Sequence, residues 1–379
     1  MDPVAVDAVL QLYPDRFRSR GFCLPPDGPG FSGAVVLRVE TDAGRHCLRG
    51  WPPEANAERI GGLHRLLNHA RSRGIDFVAV PVRANDGRTL VSVAGRSWQL
   101  EPWLPGRADF SSRPSDARLT AAVTSLARLH VELASFEPVG AERQWFGSGV
   151  NAIAPAVTER FDRLRSWTSG KLADLKTRME ATPKADPCLA AATRIASGFT
   201  RCAPFIEREL RDALRIRVPV QPCLRDVWHD HLLFDGDRVS GIIDPAAART
   251  DTVAADISRL LGSLIAIDAE DRKRSLADFE SMDQFTRYLL ERRLVGTRLA
   301  TVPRGWYSAL TAYASVRRLS PEEMILIDVL DCSGTLLSGM TWLARRFFSD
   351  APFEHPERVA ARMEMIAKRI DHLAPSANR

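Results

Sequence analysis

Apolar residues in the first hundred positions alternate over short runs, which predicts strands, and take helical spacing in only two places. Those two places, residues 4–13 and 54–73, have apolar side chains three and four positions apart. Residues 34–51 hold two β-branched runs around Thr41-Asp42-Ala43-Gly44, which predicts a hairpin. Residues 77–93, with an Asn-Asp-Gly turn, and RSWQLEPW (96–103) predict further strands.

The pattern changes after LPGRADF (104–110), where helical spacing takes over, strongest in residues 116–136. The exception is residues 218–244, in which VPVQPCL, HLLF and RVSGIID predict three strands, with DGD as a tight turn between the last two. We therefore expect an α+β chain with a β-rich domain over residues 1–104 and a mostly helical domain over 105–379. The boundary is expected near Pro105-Gly106.

Composition narrows the class of protein. Of 379 residues, 45% are hydrophobic and 26% charged, which is typical of a folded globular chain. The net charge of +5 is spread without a long basic run, so a nucleic-acid partner is not expected. The six cysteines are scattered and form no CxxC pair, which argues against a zinc or disulfide framework. Without a signal-like start or a long apolar run, the chain is predicted to be cytoplasmic, with no membrane partner; its oligomeric state is left open.

The candidate chemistry is concentrated in residues 223–244, CLRDVWHDHLLFDGDRVSGIID. Phosphoryl transfer needs one carboxylate beside the attacking hydroxyl and a second one on the metal. Asp226 follows a predicted strand, and Asp244, 244 − 226 = 18 positions later, ends a predicted hairpin, so the two carboxylates are expected to face one cleft. A transition-metal hydrolase site at His229 and His231 is the alternative, but alternate residues on an extended segment point to opposite sides.

This stretch resembles the catalytic segment of the aminoglycoside phosphotransferase family, which includes choline, homoserine and related small-molecule kinases. The family carries H-G-D-x-x-x-x-N, a short hairpin, an I-D pair and a later Asp that opens a helix. The chain has Leu224-Arg225-Asp226, then His231, Ile242-Ile243-Asp244 and Asp256. The resemblance extends over roughly residues 10 to 265, and it implies a two-lobed protein-kinase-like fold with a β-rich first lobe and a helical second lobe.

The resemblance also implies ATP, or another nucleoside triphosphate, and Mg²⁺ or Mn²⁺ as cofactors. Asp226 would be the catalytic base, Asp244 the main metal ligand and Asp256 a structural acceptor. His231 stands where the family has its metal-binding Asn, and imidazole suits transition metals better than Mg²⁺. Two interpretations stay open: a phosphotransferase acting on a hydroxyl of a small molecule, or a catalytically impaired pseudokinase that binds nucleotide or acts as a scaffold.

Supporting residues are expected in the first lobe. A phosphate-binding glycine loop would contain Gly28, Gly30, Ser32 and Gly33, and Arg49 would bind phosphate. Glu58 is the predicted acidic partner of Arg49, with Glu54 in reserve, and the backbone around Glu101 and Trp103 would meet the adenine. For the acceptor, Asp328, Asp331 and Trp342 favour an amine, whereas Arg249 and Arg259 favour an anion.

Overall fold

The computed structural model describes residues 3–25, 33–264, 304–349 and 356–373. The chain forms two compact units, one of residues 1–148 with 229–250 and the other of residues 149–228 with 251–379. The boundary predicted near Pro105-Gly106 lies inside the first unit, because residues 105–148 and a later hairpin pack there. The division into domains 1–104 and 105–379 stays a prediction.

The secondary structure follows the predicted order, with strands first and helices later. The strands are β1 Ser19–Cys23, β2 Val35–Thr41, β3 Gly44–Gly50, β4 Val91–Val93, β5 Arg96–Pro102, β6 Gly149–Ala152, β7 Val218–Cys223, β8 Leu232–Asp235, β9 Arg238–Ile242 and β10 Arg249–Asp251. The α-helices are α1 Pro3–Leu10, α2 Ala57–Ser72, α3 Asp116–Leu133, α4 Arg143–Phe146, α5 Pro155–Ser166, α6 Leu172–Glu180, α7 Leu189–Ala213, α8 Val253–Leu264, α9 Arg304–Val316, α10 Pro321–Phe347 and α11 Pro356–Asp371.

A five-stranded antiparallel sheet forms the centre of the first unit, in the order β1-β2-β3-β5-β4. The predicted hairpin is confirmed, since Thr41 pairs with Gly44 across the β2–β3 turn. Leu37, Leu48 and Leu100 are cross-strand partners and lie in one apolar row, which is buried together with residues of α1. Because side chains alternate along a strand, Cys47, Arg49, Gln99 and Glu101 all project from the opposite face of the sheet.

Two details of the sheet differ from expectation. The strand predicted over residues 77–83 does not form; this segment makes one isolated bridge, from Val78 to Ile242. Pro81 explains the difference, because proline has no N–H to donate to a strand ladder. Strand β1 was not predicted, since its sequence, SRGFC, has no alternation of apolar and polar residues.

Strands β8 and β9 form the second predicted hairpin, which also belongs to the first unit. The turn of this hairpin contains Gly236, whose φ of 60° lies in the left-handed region that favours glycine. Gly106 packs so closely on this hairpin, with φ of 98°, that a Cβ there would overlap Ser240 and Phe234. The predicted loop Pro105-Gly106 is therefore a tight packing point of this unit.

The second unit is built mainly from helices, with β6 and β7 paired antiparallel. Helix α10 is its central element and packs on α5, α7, α8 and α11. Ser320 and Glu323 form a capping box that fixes the start of α10. In the described part of the chain, α10 alone is long and apolar enough to cross a membrane by length and composition, but 61% of its apolar window is buried inside the protein. That burial is typical of a core helix.

Candidate active site

Arg49 is the charged centre of the polar sheet face. Its Nη1 donates to Oδ1 of Asp244 at 2.8 Å, and only 8% of the residue is exposed. Burial alone lowers the pKa of Arg49, but the negative charges of Asp244 and Glu101 outweigh it, so the pKa is raised above its usual value. The guanidinium therefore stays charged beside two carboxylates.

A chain of hydrogen bonds extends from Glu101 to helix α2. Gln99 donates from Nε2 to Oε2 of Glu101 at 2.7 Å, while its Oε1 accepts from Trp51 Nε1 at 2.7 Å and from His64 Nε2 at 2.8 Å. His64 must then carry its proton on Nε2, and its Nδ1 accepts from the Thr89 hydroxyl at 2.7 Å. We call these five residues the α2–β5 network.

Burial shifts the pKa values of the two titratable residues of this network, Glu101 and His64, in opposite directions. It raises the pKa of Glu101, although the positive charge of Arg49 opposes the shift. It lowers the pKa of His64 to about 4, with the hydrogen bond to Gln99 acting in the opposite direction. His64 is therefore a neutral imidazole at pH 7 and acts as a fixed donor to Gln99.

The partner predicted for Arg49 is not the one that the structure shows. Glu58 is exposed on the first turn of α2 and does not pair with Arg49, and Glu54 is exposed before the helix begins. The buried face of α2 carries Ile60, Leu63 and His64 instead. Arg49 receives its acidic neighbours from strand β5 and from the end of the β8–β9 hairpin.

The two residues predicted to hold the metal lie together. His231 Nε2 is 3.9 Å from Oδ2 of Asp244, and the Ile243 N–H donates to the His231 carbonyl at 2.9 Å. Asp244 has a φ of 55° and immediately precedes the turn Pro245–Ala247. One carboxylate and one imidazole form a mixed oxygen and nitrogen donor set, which fits Mn²⁺ better than Mg²⁺.

The segment after β5 differs in detail from the predicted adenine contact. The Trp103 N–H donates to the Arg45 carbonyl at 3.1 Å, and Glu101 is the ladder partner of Cys47, so both backbones face β3. Backbone groups alternate along a strand, so the carbonyl of Pro102, the last residue of β5, points away from β3. Of the predicted glycine loop, Gly28, Gly30 and Ser32 lie outside the described residues; Gly33 is exposed before β2, with φ of 70°.

In the second unit, Asp226 lies on a short loop after β7. The backbone N–H groups of Leu224 and Arg225 both donate to the fully buried carboxylate of Asp256, the first at 2.7 Å. The expectation that Asp256 braces this loop is therefore confirmed. The Asp226 side chain is 49% exposed, and its Oδ1 accepts from Arg259 Nε at 2.9 Å.

Arg225 is held in an unusual conformation beside Asp226. Its φ is 64°, a region that normally favours glycine. The guanidinium donates to both oxygens of Glu159, at 3.1 and 2.6 Å, and its Nε is 3.0 Å from the buried Asp251. Burial raises the pKa of Asp251 to about 6, and the charge of Arg225 opposes this rise. The loop is thus fixed by carboxylates on both sides of Arg225.

The candidate acceptor residues on α10 already have partners. Asp331 accepts from Arg369 at 2.6 Å, and the Arg345 guanidinium lies 5.4 Å from the centre of the Trp342 ring. The alternative transition-metal site at His229 and His231 is not supported: His229 Nε2 is 3.1 Å from Oδ1 of Asp230, and in the described part of the chain neither histidine belongs to a group of three possible metal ligands. Arg259 differs from these residues, since it contacts Asp226 directly.

The sequence model of the phosphotransferase enzyme family matches residues 24–292, most of the chain. The chain belongs to this family. The resemblance found in residues 223–256 and the kinase-like fold are therefore confirmed, and small-molecule kinase chemistry is the activity of the class.

Curated relatives within the phosphotransferase family are homoserine kinases. The enzyme of Methylobacillus flagellatus is 27% identical over 58% of this chain and 57% of its own length, and that of Brucella anthropi is 25% identical over 59% and 58%. The match thus spans less than two thirds of these relatives.

Solved structures share the fold at low sequence identity. A spectinomycin phosphotransferase in complex with ADP and spectinomycin has a TM-score of 0.62 at 10% identity, covering 98% of this chain and 99% of its own. An amicoumacin kinase in complex with AMP-PNP and Ca²⁺ has a TM-score of 0.56 at 14% identity, covering 98% and 94%. A microcompartment-associated aminopropanol kinase has a TM-score of 0.57 at 14% identity, covering 98% and 97%.

Proposed function

We propose that this protein transfers the γ-phosphoryl group of ATP, or of another nucleoside triphosphate, to a hydroxyl of a small molecule. The observation that supports this most is the combination of Arg49, Asp244 and His231 around one hairpin end, with contacts of 2.8 and 3.9 Å at Asp244. Phosphoryl transfer requires a carboxylate that can hold a divalent cation and, next to it, a positively charged side chain that donates hydrogen bonds to the phosphate groups. Asp244 and Arg49 would fill these two roles.

Asp226 acts as the catalytic base in this proposal. The acceptor oxygen forms a bond to the γ-phosphorus, the bond from that phosphorus to the bridging oxygen breaks, and the acceptor proton passes to Asp226; the products are ADP and a phosphate ester. The 49% exposure of Asp226 and its oriented bond to Arg259 support this role. The bracing of the loop by Asp256 keeps the carboxylate in position.

Nucleotide binding is assigned to the first unit. Arg49 would donate to phosphate oxygens, and the negative charge of Glu101 favours the charged form of its guanidinium. Gly30, Ser32 and Gly33 would form the phosphate-binding loop. The backbone around Glu101 and Trp103 would contact the adenine, and the Pro102 carbonyl, which points away from β3, is the group there that the strand register supports. Asp244 and His231 would hold a divalent ion, which would neutralise phosphate charge.

The activities of the related proteins agree with this assignment. Two structural neighbours were solved with AMP-PNP and Ca²⁺ or with ADP, which supports a nucleotide and a divalent metal here. The relatives named homoserine kinase and the neighbour named aminopropanol kinase both support a small hydroxyl acceptor.

The test is ATP consumption with a panel of hydroxyl-bearing metabolites, run with Mg²⁺ and with Mn²⁺. Asp226→Asn is expected to reduce turnover by about a thousandfold or more while nucleotide still raises the melting temperature. Asp237→Asn, in the exposed hairpin turn, is the matched control and should retain wild-type turnover. Nucleotide-dependent stabilisation without turnover on any acceptor would instead identify a pseudokinase, and no stabilisation at all would refute nucleotide binding.

A further inference from the structure

The turn that follows Asp244 is held by a side chain of helix α2. Nη2 of Arg59 donates to the Ala246 carbonyl at 2.7 Å and to the Ala248 carbonyl at 2.9 Å. The Ala248 N–H in turn donates to the Pro245 carbonyl at 2.9 Å. One guanidinium nitrogen therefore joins two carbonyls of this turn, although the turn lies nearly 190 positions later in the chain.

The backbone of Asp244 needs support from outside its own segment. Its φ of 55° and ψ of 56° lie in the left-handed region, which is unfavourable for a residue with a Cβ. Asp244 also precedes Pro245, and a residue before proline normally has an extended backbone. Hydrogen bonds that fix the turn oppose the relaxation of Asp244 to that extended conformation. They therefore also restrict the direction in which its carboxylate points.

Electrostatic attraction does not explain why an arginine occupies this position. Arg59 is half-buried, and it forms no ion pair with a residue that the structure describes. Burial lowers the pKa of Arg59, and the positive charge of Arg249 lowers it further. The bonds from a charged donor to the two carbonyls of the turn are the favourable interactions that remain.

The side chain of Asp244 has a second restraint, but in the proposed function that restraint is temporary. Arg49 donates to its Oδ1 at 2.8 Å, and this bond would be given up when Arg49 donates to phosphate. The bonds from Arg59 go to backbone carbonyls and not to the carboxylate. They would therefore persist when the carboxylate of Asp244 turns to a cation.

We propose that Arg59 is a positioning residue for the divalent ion: it fixes the turn after Asp244 and so keeps the carboxylate in the orientation that holds the metal. The inference rests on the phosphotransferase function proposed above, in which Asp244 and His231 hold the ion. Residues that orient a metal ligand typically contribute about 10- to 100-fold to metal affinity. The positive charge of Arg59 acts in the opposite direction, because it repels a cation, so the sign of the measured effect shows which contribution is larger.

The test is direct binding of Mn²⁺ to the protein without nucleotide, with free Mn²⁺ measured from its electron paramagnetic resonance signal. Asp244→Asn gives the level of binding at other sites. Arg59→Met removes the donors but keeps a long unbranched side chain, and it is expected to raise the dissociation constant of the Asp244-dependent site by about 10-fold or more. Arg59→Lys keeps a charged donor and should recover part of the affinity.

Arg71→Met is the matched control, because Arg71 also lies on α2 and donates to a backbone carbonyl, that of Asp76, outside this turn. It should bind Mn²⁺ as the wild type does. Combining Arg59→Met with Asp244→Asn should give no weaker binding than Asp244→Asn alone, since a positioning residue acts only through its ligand. If Arg59→Met does not fold, Arg59→Gln is the milder variant, with a weaker affinity expected in the same direction.

An unchanged or lower dissociation constant in a folded Arg59 variant would refute the positioning role, even if the melting temperature falls, while the metal site at Asp244 would stand. Additional weakening in the double variant would refute it too. If the wild type and Asp244→Asn bind Mn²⁺ equally, the proposed metal site is itself wrong and the role of Arg59 fails with it.

Discussion

Acidification is expected to destabilise the first unit through His64. This imidazole is 3% exposed, donates to Gln99 and accepts from Thr89, and burial lowers its pKa from 6.5 to about 4. The folded state then binds fewer protons than the unfolded chain between these two pH values. Stability from His64 is therefore fully present above pH 6.5 and is lost as the pH falls towards 4.

The size of the effect follows from the shift. A difference from 6.5 to about 4 corresponds to about 3 kcal/mol in total, at about 1.4 kcal/mol for each pKa unit. About 2 kcal/mol of that has been lost at pH 5. The raised pKa values of Glu101 and Asp251 act in the opposite direction over part of this range, so the whole-protein curve alone does not isolate His64.

The assay is urea unfolding of the wild type and of His64→Gln at pH 7, 6 and 5. The free energy of unfolding is measured with a spectroscopic probe that reports on the first unit. Glutamine can donate to Gln99 and accept from Thr89 but does not titrate. We expect the variant to be less stable than the wild type at pH 7 and to gain about 2 kcal/mol relative to it by pH 5. A stability difference that does not change with pH would refute the buried, neutral His64 and the hydrogen-bond directions in the α2–β5 network.

Three further predictions concern the proposed metal site, the β8–β9 hairpin and the loop after β7. His231→Asn is expected to raise activity with Mg²⁺ relative to Mn²⁺ several-fold, because at the proposed metal site it would replace a nitrogen ligand with an oxygen ligand; an unchanged ratio in steady-state assays would contradict the proposed role of His231. Gly106→Ala should lower the melting temperature well beyond Gly87→Ala, since both positions have positive φ but only Gly106 lies against other atoms; equal losses would contradict the close packing. Arg225→Gly should relax the backbone yet cost about 3 kcal/mol, since it leaves Asp251 buried without its counter-charge. That loss, measured by thermal unfolding, should be larger at pH 8 than at pH 5, where Asp251 is protonated, and a pH-independent loss would contradict the pairing.

The part of the site that could be predicted from sequence is the part set by local spacing. Asp226, His231 and Asp244 lie within one stretch, and a hairpin with a DGD turn necessarily brings the last two near each other. The alternation in HCLRGW and WQLEPW likewise indicates that Arg49 and Glu101 avoid the apolar face. The hairpin turn and the strand alternation depend only on neighbouring residues, so contacts with distant segments do not change the positions that they predict.

The partners of these residues could not be predicted, because they depend on contacts between distant segments. The residues around Arg49 in sequence do not indicate that Asp244, 195 positions away, is its partner. They also give no reason to prefer Asp244 over Glu58 as the acidic residue that pairs with Arg49. His64 stands among the apolar residues of α2, and no local signal separates it from an ordinary core residue before Gln99, 35 positions later, is placed beside it. Glu159, 66 positions before Arg225, is similar in this respect.

The contacts of Arg49 also bear on how nucleotide and metal binding are coupled. Arg49 donates to Oδ1 of Asp244, so it would compete for that carboxylate with the divalent ion of the proposed function. Asp244 is the largest cause that raises the pKa of Arg49 against the effect of burial, and Glu101 is the next, so Glu101 is the acidic neighbour that stays with Arg49 if Asp244 turns to the ion. Arg49 is then able to donate to phosphate oxygens, which also bind the ion. In the proposed function, nucleotide and metal should therefore raise each other's affinity by the same factor, as linkage requires. Glu101→Gln is expected to weaken this coupling, because it removes the acidic neighbour that stays with Arg49 during the exchange.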